Sequence, residues 1–214
     1  MTGDSTDSGG AITAALDPVL LIPAAGASRR MGPTDKLMQP VAGLPLLRRQ
    51  VRRALATGCP VHVTLSAQHP ARGAALADLA HPLLGSEIID GRAGMSVSLR
   101  HGARVALDQG RPLVVVLPDM PDIDTPHLRA FITAAQRRPT GVTRAATCDG
   151  LPGHPVWLPA HLLARVLDTA EGDTGAAPVL RGHDVTLFRL PGQRARTDLD
   201  TPEAWANWRT TPPT

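Results

Sequence analysis

The sequence predicts an α/β fold, a three-layer α/β/α arrangement around an open, mostly parallel sheet. Three observations carry that expectation. Short apolar runs alternate with amphipathic, helix-period stretches over most of the 214 residues, the pattern of successive βαβ units. The run LVVVL at 113–117 is apolar on both faces, as a strand covered by helices on both sides must be. Aromatic residues make up only 2% of the chain and tyrosine is absent, so the core must come from Leu, Val, Ile and Ala packed between helices and sheet.

The elements follow in order. Residues 1–17 are polar and slightly acidic, and read as a disordered leader ahead of a single domain spanning 18–210. VLLI at 19–22 is the first strand and ends at Pro23 in a glycine-containing loop. Over 45–57, Leu46, Leu47, Val51, Ala54 and Leu55 share one helical face with arginines opposite, and Gly58 ends the helix. Strands at 60–66 and 86–90 flank a helix over 71–79, and a helix over 96–107 precedes the central strand. A helix over 126–138, with Thr125 as its cap, comes next. Strands at 141–147, 154–158 and 184–190, helices at 160–167 and 175–180, and a closing helix from Pro202 complete the chain. In sheets of this kind ligands sit beyond the carboxyl ends of the strands, so the loops after the first and central strands should share one crevice.

Composition excludes several classes. A net charge of +3 with arginines scattered among acids leaves no basic stripe for a nucleic-acid backbone. No apolar stretch approaches the ~20 residues of a membrane span, and the leader lacks the basic start and apolar run of a secretion signal. Cys59 and Cys148 have no metal-binding or paired spacing, which fits a reducing cytoplasm.

One residue stands apart. Of 22 basic residues only Lys36 is a lysine, in a chain that otherwise writes arginine for every surface cation. A site that keeps lysine in such a context needs its compact, flexible ammonium. It closes the stretch LIPAAGASRRMGPTDK, where Ala24, Ala25, Gly26 and Ser28 offer small side chains and backbone N–H groups directly after a strand, with Arg29 and Arg30 beside them. Neither the Walker loop nor the dinucleotide glycine fingerprint is present.

The order A-A-G-x-S-x-R-M-G with Lys four residues on resembles the signature loop of nucleotidyltransferases with a GT-A-like, Rossmann-related fold, in particular the molybdenum cofactor cytidylyltransferases. The resemblance implies that Ala24, Ala25, Gly26 and Ser28 bind a nucleotide, with Arg30 and Lys36 on the charge that develops at the α-phosphate. PDMP at 118–121 is similar to the family's G-D-M-P loop and TDLDTPEAW at 197–205 to its D-x-D-T-P-E-D segment. Asp119, held between Pro118 and Pro121, is a catalytic candidate and a ligand for Mg²⁺, which takes one or two carboxylates plus substrate phosphates. Asp198 and Asp200 are candidates for the second carboxylate. Asp200, just before Thr201-Pro202, is the better cap for the last helix, which leans the metal role to Asp198.

GMSVSLRHG at 94–102 resembles the segment near the base in these enzymes, which puts Gly94, Ser96 and Ser98 on the nucleotide. PGHPVWL and EGDTGAAPVL resemble segments over the acceptor, implying His154 and Asp173 there. Ala177 stands where relatives often carry Arg, so one cation expected on the acceptor is either missing or supplied by Arg181. The implied reaction transfers an NMP from an NTP, with CTP expected, to a terminal phosphate of an acceptor, with molybdopterin expected and a molybdoenzyme as a downstream partner. A sugar- or polyol-phosphate nucleotidyltransferase and a non-catalytic pterin-cofactor maturation factor are the alternatives.

Overall fold

A computed structural model describes residues 16–172 and 175–211. Along the chain come β1 (Val19–Pro23), a hairpin of β2 (Pro40–Val41) and β3 (Leu44–Pro45), α1 (Leu46–Leu55), β4 (Val61–Leu65), α2 (Pro70–Ala74), β5 (Leu84–Ile88) and α3 (Met95–Asp108). Next are β6 (Leu113–Val115), α4 (Thr125–Gln136), β7 (Val142–Ala146), β8 (Pro152–Leu158), α5 (Leu163–Thr169), α6 (Ala177–Leu180), β9 (Val185–Arg189) and α7 (Pro202–Thr210). Seven strands form one sheet in the order β5-β4-β1-β6-β8-β7-β9, parallel except that β8 runs against both its neighbours.

Alternation along β1 sets the layers. Leu20 and Ile22 pack on one face with Leu47, Val51 and Ala54 of α1 and Leu128, Phe131 and Ala135 of α4. Val19 and Leu21 pack on the other with Leu99, Ala103 and Ala106 of α3 and Leu163 and Val166 of α5. The face of α1 expected from its periodicity is the face it buries. No helix among the described residues is long and apolar enough to cross a membrane.

Several local expectations are corrected. β8 is antiparallel because only five residues, 147–151, join it to β7, and a parallel crossover needs a dozen or more. That connection closes on itself through Thr147 N–H to Leu151 O and Leu151 N–H to the Thr147 hydroxyl, with Gly150 in the left-handed region. The β2–β3 hairpin had no sequence counterpart, and α2 is shorter than the 71–79 expected. Asp124, not Thr125, caps α4, its carboxylate accepting from His127 N–H. Thr201, not Asp200, caps α7, accepting from Ala204 N–H. All but the last two residues of the expected leader lie outside the described residues.

Gly153 in β8 lies against the segment that leads to the distal acidic residues. A Cβ there would sit 1.8 Å from the Ala195 carbonyl oxygen, and the adjacent His154 N–H donates to that same oxygen at 2.9 Å. Gly153→Ala is therefore expected to destabilise the fold by about 1–3 kcal/mol or more, since backbone on both sides must shift. Urea unfolding checks this, and an unchanged midpoint would contradict the close approach.

Candidate functional site

Parallel pairing of β1 with β6 brings two distant loops to the same end of the sheet. Leu21 is in register with Val115, and Val116 N–H donates to Leu21 O just before both strands end. A cleft of about 600 Å³ opens there, lined by Gly26, Ser28, Arg30, Lys36, Gly94, Ser98, Asp119, Asp198 and Asp200 among the expected residues.

The loop after β6 is fixed from α1. Gln50 donates to Met120 O at 2.5 Å, and Arg53 donates to Pro121 O at 2.6 Å and to Ile123 O at 3.0 Å. Leu199 N–H in turn donates to Asp119 O at 3.0 Å, so the distal acidic segment is fastened to this loop by main chain. Leu199 is buried with Trp205, Leu46, Val41 and Met31, which sets Asp198 and Asp200 on either side of an anchored apolar residue.

Cations and carboxylates meet in the cleft. Lys36 Nζ lies 2.5 Å from Asp119 Oδ2 and also pairs with Asp200 Oδ1, while Arg30 reaches Asp200 Oδ2 at 2.8 Å. Burial alone would lower the Lys36 pKa, but the charges and hydrogen bonds of Asp119 and Asp200 outweigh it and hold the ammonium above its ordinary value. Burial would raise Asp200, yet Lys36 and Arg30 hold it below the usual carboxylate range. Asp198 moves up, first through burial and then through the neighbouring charges of Asp200 and Asp119. Asp119 Oδ1 is buried with no hydrogen-bond partner among the described residues.

No group of three His, Cys, Asp or Glu side chains among the described residues is arranged to hold a metal by itself. One or two carboxylates are the donor set Mg²⁺ uses where phosphates complete its shell. The orphaned Asp119 Oδ1, with Asp198 lining the same cleft and in no ion pair among the described residues, fits such an ion.

Not every expected nucleotide residue faces the cleft. Ala24 N–H is bonded to Thr64 O, which makes that residue an extension of β1, and Ala25 is buried. Ser96 is buried, with its N–H bonded to Gly172 O. Ser98 accepts from the Thr64 hydroxyl at 2.9 Å, and Gly94 starts α3 with φ +83. His154 lines a second, mostly apolar pocket of about 200 Å³ that shares Met95 and Leu117 with the cleft. Burial and the Arg144 charge push its pKa down to about 4, so the imidazole is neutral at physiological pH. The guanidinium lining this pocket is that of Arg144, not Arg181, which is exposed. Asp173 lies outside the described residues.

Two contributors had no usable sequence signal. Gly91 packs so closely on the loop that a Cβ would come within 2.1 Å of Ala25 O. Arg72 of α2, wholly buried, forms a bidentate pair with Asp35, its Nε 2.7 Å from Oδ2 and its second terminal nitrogen 2.8 Å from Oδ1. It also donates to Ala24 O and Gly26 O, both at 2.7 Å, and to the Ser28 hydroxyl at 2.9 Å. In sequence Arg72 reads as one more arginine on a helix's polar face.

A carboxylate and cation cluster beside a small-residue loop, at the carboxyl ends of β1 and β6 in a Rossmann-like sheet, defines the class as a nucleotidyltransferase. The chain belongs to the MobA-like NTP transferase domain family, which it matches over residues 20–187. Among solved structures it is similar to Rv0371c from Mycobacterium tuberculosis H37Rv, with a TM-score of 0.76 and 22% identity over 92% of this chain and 100% of that one. The same mycobacterial protein is also solved as a complex with manganese, at a TM-score of 0.74 and 22% identity over the same shares of the two chains. A nucleotidyl transferase from Methanothermobacter gives 0.73 at 20% identity, covering 90% and 96% of the two chains. CMP:2-keto-3-deoxy-manno-octonic acid synthetase complexed with CTP gives 0.69 at 13% identity, covering 91% and 97%. These likenesses establish the shared fold. No curated protein matches the chain.

Asp35 gives the site a signature in acid. Burial raises its carboxyl pKa, but the Arg72 hydrogen bonds and charge, Leu37 N–H and His69 together bring it below the ordinary value. A carboxyl lowered in the folded state contributes stability that is present above its unfolded pKa and is lost as pH falls through the folded one. The stability gap between the native chain and Asp35→Asn should therefore be full above about pH 5 and narrow toward about pH 3. Urea midpoints across that range measure it, and a gap that widens on acidification would contradict the pairing.

Proposed function

We propose that this nucleotidyltransferase moves CMP from CTP to the terminal phosphate of molybdopterin, releases pyrophosphate, and works in the cytoplasm upstream of a molybdoenzyme. The observation that carries the reading is the placement of Lys36 between Asp119 and Asp200 in the same cleft that the Gly26 loop lines. A neighbour of the same fold is solved with CTP and another with manganese, which supports a cytidine nucleotide and a divalent ion.

The acceptor phosphate is already an oxyanion, so its attack on the α-phosphorus needs alignment and charge stabilisation more than a general base. The phosphorus–oxygen bond to the acceptor forms as the bond to pyrophosphate breaks. Arg30, largely exposed at the cleft mouth, and Lys36 neutralise charge on the α-phosphate and the leaving group. The Gly26–Ser28 loop takes the triphosphate through its amides, and Gly94 and Ser98 face the nucleoside. Mg²⁺, held by Asp119 with Asp198, would draw charge from the phosphate oxygens. Asp200 has another part, since its ion pairs to Lys36 and Arg30 set where both cations rest.

The side pocket favours molybdopterin over a sugar or polyol phosphate. Leu21, Leu99, Val115, Val156 and Leu180 line it with Arg144 and His154 as its charged or titratable side chains, mostly apolar walls suited to a flat ring. Neutral His154 offers one donor and one acceptor to ring nitrogens.

Pyrophosphate release is measured with each of the four NTPs, Mg²⁺, and either molybdopterin or sugar phosphates. Release is expected with CTP and molybdopterin. Release with sugar phosphates alone would transfer the assignment to that alternative, and none with any pair would leave a maturation factor. Lys36→Ala and Asp119→Asn should each reduce turnover by about 10²- to 10³-fold while the protein remains folded by circular dichroism. Near-normal rates in either variant would overturn the catalytic roles of these two residues.

A further inference from the structure

Arg72 does not line the cleft, yet it holds three parts of the wall that does. A guanidinium has five N–H donors, and here each has an acceptor: two on Asp35, the carbonyls of Ala24 and Gly26, and the Ser28 hydroxyl. A cation with no exposed surface is tolerated only when fully paired and hydrogen-bonded, and Arg72 meets that condition through the loop itself.

The two carbonyl contacts orient the loop. Across a planar trans peptide the N–H of the next residue points opposite to the carbonyl. With Ala24 O and Gly26 O turned to Arg72, the N–H groups of Ala25 and Ala27 are turned away from it; Ala27 lines the cleft beside Gly26, while Ala25 is buried behind it. Neither amide has an acceptor among the described residues. A main-chain N–H presented to the cleft without an internal acceptor is a ready donor to an anion, and the Ala27 amide is so placed.

Asp35 extends the arrangement to the catalytic cation. Besides pairing with Arg72 it accepts from Leu37 N–H at 3.0 Å, capping the short turn Lys36–Met38 that carries the lysine. The Ser28 hydroxyl joins the same group, at 3.5 Å from Asp35 Oδ1.

We propose that Arg72 is a positioning residue for the triphosphate: from behind the loop it fixes the backbone of residues 24–27, so that the Ala27 amide faces the phosphate, and, through Asp35, locks that loop to the turn presenting Lys36. The proposal rests on the nucleotidyltransferase reading above. Lysine cannot replace it, since an ammonium lacks the planar fork that reaches Asp35 and two carbonyls together. Ser28 on this account serves the loop from within rather than touching phosphate with its hydroxyl.

The test compares Arg72→Lys and Asp35→Asn with the native chain in two measurements. Calorimetry with Mg²⁺ and either CTP, inorganic tripolyphosphate or cytidine reads affinity. Both variants should bind CTP and tripolyphosphate about 10- to 100-fold more weakly, the size of one or two misplaced charge-assisted contacts, with cytidine unaffected. A general loss of structure would weaken all three ligands alike. Amide NMR on the unliganded protein reads the coupling, with the Ala25, Ala27 and Leu37 signals shifting together in both variants. If Arg72→Lys does not fold, Asp35→Asn carries the test.

Unchanged tripolyphosphate affinity, or loop amides that ignore both substitutions, would overturn the proposal. A native chain that binds neither CTP nor tripolyphosphate would defeat the nucleotide reading instead, and the NMR comparison would still decide whether Arg72 sets the loop.

Discussion

The pairing of β1 with β6 is the constraint on which the rest of this protein depends. Three registered residue pairs and the bond from Val116 N–H to Leu21 O put residues 23 and 118, ninety-five positions apart, at one edge of the sheet. Everything chemical follows from what the chain does immediately after each strand. Past β1 it turns through small residues to Lys36, and past β6 it turns between two prolines at Asp119. Because both strands are buried on both faces, neither end can slip without moving its apolar side chains to the wrong side of the sheet.

The convergence creates an electrostatic problem that the sequence answers with one lysine. Asp119, Asp198 and Asp200 share a partly buried space, and like charges so placed raise one another's cost of ionisation. Asp198 rises first through burial and then through the charges of Asp200 and Asp119, whereas Lys36 and Arg30 hold Asp200 down against its burial. A compact ammonium can sit between two carboxylates contributed by different loops, where the larger planar guanidinium would demand a matched bidentate partner. That is a physical reason for lysine at position 36 in a chain that uses arginine elsewhere.

Legibility in the sequence tracks how local each signal is. β1, β6 and the face of α1 could be read because apolar runs and 3.6-residue spacing are local patterns. Lys36, Asp119 and the 198–200 segment could be singled out because each sits in a short ordered motif or beside a predicted strand end. The direction of β8 was in principle legible, since the five residues after β7 are too few for a crossover. Arg72 and Gly91 were not, because their importance arises only when α2 and the 91–93 turn fold back on the loop. The caps failed for a narrower reason. Neighbouring Asp and Thr both favour that position, and which of them is the cap depends on where the helix begins, a one-residue matter.

Three of the cations around the loop differ in exposure in step with the roles proposed for them. Arg72 is wholly buried, the Lys36 side chain is 17% exposed and that of Arg30 is 73% exposed. A group that defines geometry gains from burial, because packing and a full set of acceptors leave it one conformation. A group that must leave a carboxylate and follow a phosphate needs solvent on one side and a partner it can exchange. Lys36 lies between these limits, anchored at its stem by the Asp35-capped turn and paired at its tip with Asp119 and Asp200. On the roles proposed above, rigidity behind the loop and freedom in front of it are two consequences of one arrangement: a fixed guanidinium would let the backbone present its amide without a ligand, and substrate binding would have only the outer cations left to reorganise.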